Sequence, residues 1–125
     1  MTRAEWLKNL KIGDTVYYFD ENHRVYPEKK PGERYSHGAP IYREHFRATK
    51  IEGETTKSWI TSGWGNKYSK KEGTRGGDYH GNTIYSEQEV EDRIFINENH
   101  FKLSEAVMRC QDVEKMRKIK EILEG

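Results

Sequence analysis

The chain has 125 residues, with 22 Lys and Arg set against 21 Asp and Glu for a formal net charge of +1. That balance weighs against a DNA mimic, which would be strongly acidic, and against a general nucleic-acid binder, which would be clearly basic. With 33% hydrophobic residues and a mean hydropathy of -1.10 the chain can bury one small core, so a single domain over residues 1–125 is expected.

The lone cysteine, Cys110, excludes an intramolecular disulfide. No apolar run approaches the roughly 18 residues of a membrane span, and nothing reads as a signal peptide. A cytoplasmic protein without membrane contact is therefore expected. Eight Tyr, four Phe and three Trp dominate the apolar material, which suits a strand-rich fold and a binding face.

Thr2-Arg3-Ala4-Glu5 has the hydroxyl and carboxylate spacing of a capping box. A short helix through Trp6, Leu7 and Leu10 follows, and Gly13-Asp14 turns the chain. Thr15-Val16-Tyr17-Tyr18-Phe19 is β-branched and aromatic and predicts the first strand. Residues 20–40 contain all three prolines and predict a long surface loop, with room for a short strand at residues 23–26.

The two central runs come next. Tyr42 to Ile51 alternates Tyr42, Glu44, Phe46 and Ala48 with Arg43, His45, Arg47 and Thr49, which predicts a half-buried strand. Lys57-Ser58-Trp59-Ile60-Thr61 predicts its hairpin partner, with Trp59 at the centre of the core. Residues 62–66 read as a turn, Lys67-Tyr68-Ser69-Lys70 as a short strand, and the Gly-rich residues 71–81 as a flexible connection. Thr83-Ile84-Tyr85 predicts a last strand.

Ser86-Glu87-Gln88-Glu89 is a second capping box, opening a short acidic helix to about Arg93, and Ile94-Phe95-Ile96 is apolar enough to bury. Helix resumes near Leu103-Ser104-Glu105 and either runs on to Leu123 or resets at Gln111-Asp112. Val113, Met116, Ile119, Ile122 and Leu123 form one apolar stripe, which predicts an amphipathic helix docked on the barrel.

Several of these residues together resemble a group of small proteins from phages, prophages and mobile elements. The shared pattern is Leu10-x-x-Gly13-Asp14-x-Val16-Tyr17, then Trp59-Ile60-Thr61 and Lys67-Tyr68-Ser69-Lys70 with its Gly-rich stretch. Tyr85-Ser86-x-x-Glu89 and a terminal Met116-Arg117-x-Ile119-Lys120-x-Ile122 complete it. The resemblance implies a small SH3-like β-barrel followed by a helix, a mobile-element origin and an accessory role, with no catalytic residues to carry over. Residues 20–40 are longer than the usual first loop of that group. The expected fold is thus α+β: an SH3-like barrel or strongly bent antiparallel sheet over about residues 10–85, a short N-terminal helix, and a C-terminal helical part over about residues 86–124.

Five histidines, His23, His37, His45, His80 and His100, lack the spacing of a metal site, so neither metal nor other cofactor is expected. His45, between Arg43 and Arg47, is expected to be a solvated strand residue. Cys110 is expected to be a small core residue of a helix. The feature closest to a site is the interleaving of Arg43, His45, Arg47, Lys57, Trp64, Lys67, Tyr68, Lys70, Lys71 and Arg75. On one face these would offer cations to phosphates and rings to bases, or anchor a protein interface. The plainer account is that Trp64 and Tyr68 close the barrel while the cations stay solvated.

No enzyme is expected. The first functional reading is a non-enzymatic accessory protein that binds a host or phage protein, with counteracting a host defence its natural task. The second is a nucleic-acid-binding barrel that uses the basic and aromatic face. The third is a nucleotide-acting enzyme. A homodimer is the expected oligomer, because the long first loop and the amphipathic tail each offer a contact.

Overall fold

The computed structural model describes residues 1–34, 38–63, 65–75 and 82–125. It divides into two compact units, Met1–Asp92 and Arg93–Gly125. The first is built on five antiparallel strands: β1 (Thr15–Phe19), β2 (Phe46–Glu54), β3 (Ser58–Thr61), β4 (Lys67–Ser69) and β5 (Ile84–Tyr85), in the order β4-β3-β2-β1-β5. This is the barrel-like, strongly bent sheet that the sequence predicts.

The nine-residue β2 serves both halves of the sheet. Its first part pairs with β1, from Thr15 opposite Lys50 to Phe19 opposite Phe46, and its second part pairs with β3. A register shift between Ile51 and Gly53 separates the two parts. An extra residue at such a bulge bends the strand and sharpens its twist, which lets one strand turn the corner. Beyond β4 the chain reaches back to β5: Thr74 bridges Thr83, and the Ile84 N–H donates to the Gly73 carbonyl at 2.9 Å. These bonds bring the sheet close to closure.

The core inside the sheet is Leu7, Leu10, Val16, Ile51, Trp59, Tyr68 and Ile84, with Trp6 packed against it. Helix α1 (Arg3–Lys8) supplies Leu7 and Trp6, with Leu10 just beyond its end, and begins with the expected capping box between Thr2 and Glu5. The Trp59 indole N–H donates to the Leu7 carbonyl at 3.1 Å. That carbonyl lies in the last turn of α1, where a helix has no acceptor-satisfying N–H of its own. The bond therefore fastens α1 over Trp59.

Arg3 ties α1 to three other segments. Its Nη1 donates to both Glu89 carboxylate oxygens at 2.8 and 2.9 Å, and its Nη2 donates to the carbonyls of Ile84 and Glu72. The guanidinium also lies over the rings of Trp6 and Tyr85, 5.6 and 5.7 Å from their centroids. Gly73 sits beneath it with φ +72, and a Cβ there would stand 2.5 Å from Nη2. Glycine is thus required at this position both for its backbone and for the guanidinium it admits.

The segment before β2 departs from the expected strand. Tyr42–His45 is a turn of 3-10 helix, and the strand begins at Phe46. Residues three apart eclipse in a 3-10 turn, so Tyr42 and His45 face the same way. Both rings pack on Phe19, with centroids 5.7 and 5.0 Å away, and Phe46 joins them edge-on at 5.2 Å. His45 is therefore only 9% exposed, with Nδ1 3.1 Å from the Asp20 carbonyl, and the expected solvated strand histidine is corrected.

The described part of the long loop holds no strand, but it is tethered. The Ile41 N–H donates to the Val25 carbonyl, and His23 Nδ1 lies 2.9 Å from the Glu44 carbonyl. Residues 35–37, with His37, and the last part of the Gly-rich connection, residues 76–81 with His80, lie outside the described residues.

Helix α2 (Glu87–Arg109) opens with the second capping box: the Glu89 N–H donates to Ser86 Oγ, and the Ser86 N–H donates to Glu89 Oε1. It runs unbroken through both predicted helical stretches, so the short acidic helix is its first turns only. Of the Ile94-Phe95-Ile96 run, Ile94 is buried while Phe95 and Ile96 are exposed. The second unit contains the remainder of α2 and helix α3 (Val113–Glu124), and the expected reset falls at Asp112, whose carboxylate accepts from the Glu114 and Lys115 N–H groups. Cys110 lies between the two helices, half-buried, rather than in a core. No residue of α3 is buried, so its apolar stripe lacks the cover expected for it. Among the described residues no helix is long and apolar enough to cross a membrane.

Candidate functional site

Among the described residues of the expected basic and aromatic face, Lys70 and Lys71 line the same groove. Arg43 holds Glu91 through two bonds, at 2.6 and 3.1 Å, and Arg47 faces Asp20 at 3.6 Å. Lys57 is exposed in the β2–β3 turn, while Lys67 pairs with Ile60 across the outer face of the sheet. His45 is buried in the ring cluster, and Tyr68 is 1% exposed in the core. Trp64 lies outside the described residues. Burial raises the Tyr68 phenol above the usual tyrosine pKa, and the Arg75 guanidinium bonded to it offsets part of that rise. Arg43, Arg47 and Lys70 are thus matched by carboxylates and Arg75 is engaged with Tyr68, while Lys57, Lys67 and Lys71 are in no ion pair among the described residues.

The Arg43–Glu91 pair carries a direct test. Hydrogen bonding from Arg43 holds the Glu91 carboxyl below its ordinary pKa. A depressed folded-state pKa means that the pair's contribution is present above the ordinary glutamate pKa and is lost as pH falls through the folded value. Arg43→Gln is expected to return Glu91 to ordinary titration in a carboxyl NMR pH series. An unchanged Glu91 curve would show that the pair does not persist in solution, as happens with many exposed ion pairs.

Lys70 and Lys71 do come together with other residues, in a groove of about 800 Å³. Its walls are Ala4 and Lys8 of α1, Leu10, Lys11 and Ile12 of the following turn, Glu54 at the end of β2, Trp59 of β3, and Lys70 and Lys71 after β4. Register builds the inner wall. Trp59 stands opposite Glu54 on one side and Tyr68 on the other, so Lys70, two residues beyond Tyr68, reaches both Glu54 and Trp59. The Lys70 ammonium pairs with Glu54 at 2.5 Å and lies 4.5 Å above the centre of the Trp59 ring.

Among the described residues lining this groove, Glu54 is the one carboxylate against four lysines, and it is already held by Lys70. Lys8, Lys11 and Lys71 have no ion pair among the described residues. Leu10, Ile12 and Trp59 supply the apolar part of the lining, and of these Ile12 is well exposed. The groove therefore offers ammonium groups together with aliphatic and indole surface. Such a set can hold an anion by charge and an apolar group by contact.

Sequence reasoning singled out Lys70 and Lys71 but missed Lys8, Lys11, Leu10, Ile12 and Glu54 as site residues. The only hint is the i, i+3 placement of Lys8 and Lys11 at the close of α1. Among the described residues no group of three or more His, Cys, Asp or Glu side chains is placed to hold a metal ion.

Fold and groove together describe a small α-helix-capped antiparallel barrel with a lysine-lined cleft. Comparison finds no matching family model and no significant match among curated proteins or solved structures.

Proposed function

We propose that the protein is a non-catalytic binding module that grips an acidic segment of another protein, seating an apolar side chain of that segment in the groove beside Trp59. The carrying observation is that Lys8, Lys11 and Lys71, which have no ion pair among the described residues, share one groove with the apolar side chains of Leu10 and Ile12. A polynucleotide would use the lysines but gain little from aliphatic contact, whereas an acidic peptide uses both. In the mobile-element setting that the sequence resemblance implies, the partner would be a host or phage protein, and blunting a host defence would be the natural use.

The test follows the Trp59 indole N–H by NMR while short peptides are added to the full chain. Peptides that interleave Glu or Asp with Leu or Phe are expected to shift this signal. A basic scramble should not. Lys8→Glu combined with Lys71→Glu is expected to weaken the binding by about tenfold or more, since each reversal turns attraction into repulsion at short range. A single-stranded oligonucleotide that binds more tightly than the acidic peptides, with affinity falling steeply as salt rises, would favour the nucleic-acid reading instead.

A further inference from the structure

Lys70 and Glu54 meet in the groove on unequal terms. The Lys70 ammonium is positioned by the Trp59 ring, 4.5 Å from its centre, and its side chain is 27% exposed. The ring is held in turn, because its indole N–H is bonded to the Leu7 carbonyl. The Lys70 main chain is tied down as well, its N–H donating to the Lys57 carbonyl at 2.8 Å. Glu54 has no such support. It is the last residue of β2, its side chain is 47% exposed, and among the described residues its carboxylate bonds to Lys70 alone.

The result is an ammonium held in place and a carboxylate that can be exchanged. Releasing Glu54 costs little, because an ion pair this open to water contributes modestly and both groups are readily hydrated. We infer that Glu54 is a built-in competitor: the carboxylate of an incoming acidic segment takes its place on Lys70, beside the Trp59 ring, and Glu54 turns out to water. The exchange rests on the acidic-segment reading of the groove, and it adds the group that Lys70 takes and the residue that limits the affinity. A carboxylate suits the place because the group already on Lys70 is one. The segment therefore brings one Glu or Asp to Lys70 itself, and not only to Lys8, Lys11 and Lys71.

Titration of the full chain with a short peptide alternating Glu and Leu, followed by NMR, tests the exchange. In the free protein the Lys70 side chain is expected to show nuclear Overhauser contacts to the Glu54 side chain. At saturation these are expected to vanish, with contacts from Lys70 to a Glu of the peptide in their place. Glu54→Gln is expected to bind the peptide about two- to fivefold more tightly than the parent, the range that a part-exposed ion pair spans. Glu54→Asp keeps the charge but is one methylene shorter, so it competes less well and should also gain. A gain from net charge alone would be confined to Glu54→Gln, and that result overturns the proposal. Lys70–Glu54 contacts that persist at saturation, or that vanish with no peptide contact in their place, overturn it too while leaving the acidic-segment reading intact. Contacts missing from the free protein, or a Glu54→Gln protein that binds no more tightly than the parent, do the same. A peptide that binds neither the parent nor Glu54→Gln overturns that reading, and the exchange falls with it.

Discussion

Trp59→Ala is expected to destabilise the barrel by about 3–5 kcal/mol, the usual cost of removing a buried tryptophan. Three losses combine at this position. The ring leaves a cavity among Leu7, Leu10 and Tyr68, the Leu7 carbonyl loses its indole donor, and Lys70 loses the ring it covers. Against a total stability of about 5–15 kcal/mol for a domain of this size, such a loss leaves a large unfolded fraction or lowers the melting midpoint by more than about 10 °C. Trp59→Phe separates the contributions. It keeps most of the packing but leaves the Leu7 carbonyl unbonded, at a cost of about 1–3 kcal/mol. Urea titration of the three proteins measures both values. A Trp59→Ala protein within about 1 kcal/mol of the parent would mean that the core is not built around this ring.

Arg3→Ala is the second large effect, at about 2 kcal/mol. The guanidinium is one-third exposed, so its charge pairing with Glu89 is partly screened and contributes modestly. The greater part comes from the part-buried carbonyl of Ile84, which loses its donor where α1, β5 and the turn after β4 converge, whereas the exposed Glu72 carbonyl is left to water. Arg3→Lys should recover less than half, because one ammonium cannot span a carboxylate and two carbonyls at once. Combining Arg3→Ala with Glu89→Ala should cost clearly less than the two single changes added together. Full additivity would show that the two side chains do not meet, and a change under about 0.5 kcal/mol for Arg3→Ala would place the junction's stability elsewhere.

The elements legible in the sequence share one property, which is that their signals are local. Both capping boxes, Thr2 with Glu5 and Ser86 with Glu89, form as their three-residue spacing demands. Strand β1 covers the run from Thr15 to Phe19, and Asp112 resets the C-terminal helices. Alternation failed at Tyr42 to His45 because a 3-10 turn also spaces rings regularly, and no local signal distinguishes three residues per turn from two across so short a run.

The candidate site was legible only in part, for a related reason. A count of cations along the chain cannot show which carboxylate each one meets. Arg43 meets Glu91, 48 residues away, and Arg47 meets Asp20. Lys70 was noticed as a charge, but its place over Trp59 depends on the β2–β3–β4 register.

What the amino-acid order determined unaided was part of the inventory: strand β1, both capping boxes and the helix starts they set, and that Trp59 is buried. Each of these follows from a residue's preference for its own backbone or for neighbours three or four places away. What only the tertiary structure decided was adjacency. The bulge at Ile51/Gly53 bends the sheet, closure through Thr74 and Thr83 brings its ends together, and α1 is laid across Trp59. Contact energies fall off within a few ångströms and charge interactions are screened over about 10 Å, so chemistry shared by Lys8, Lys11 and Lys71 exists only once folding has brought them together.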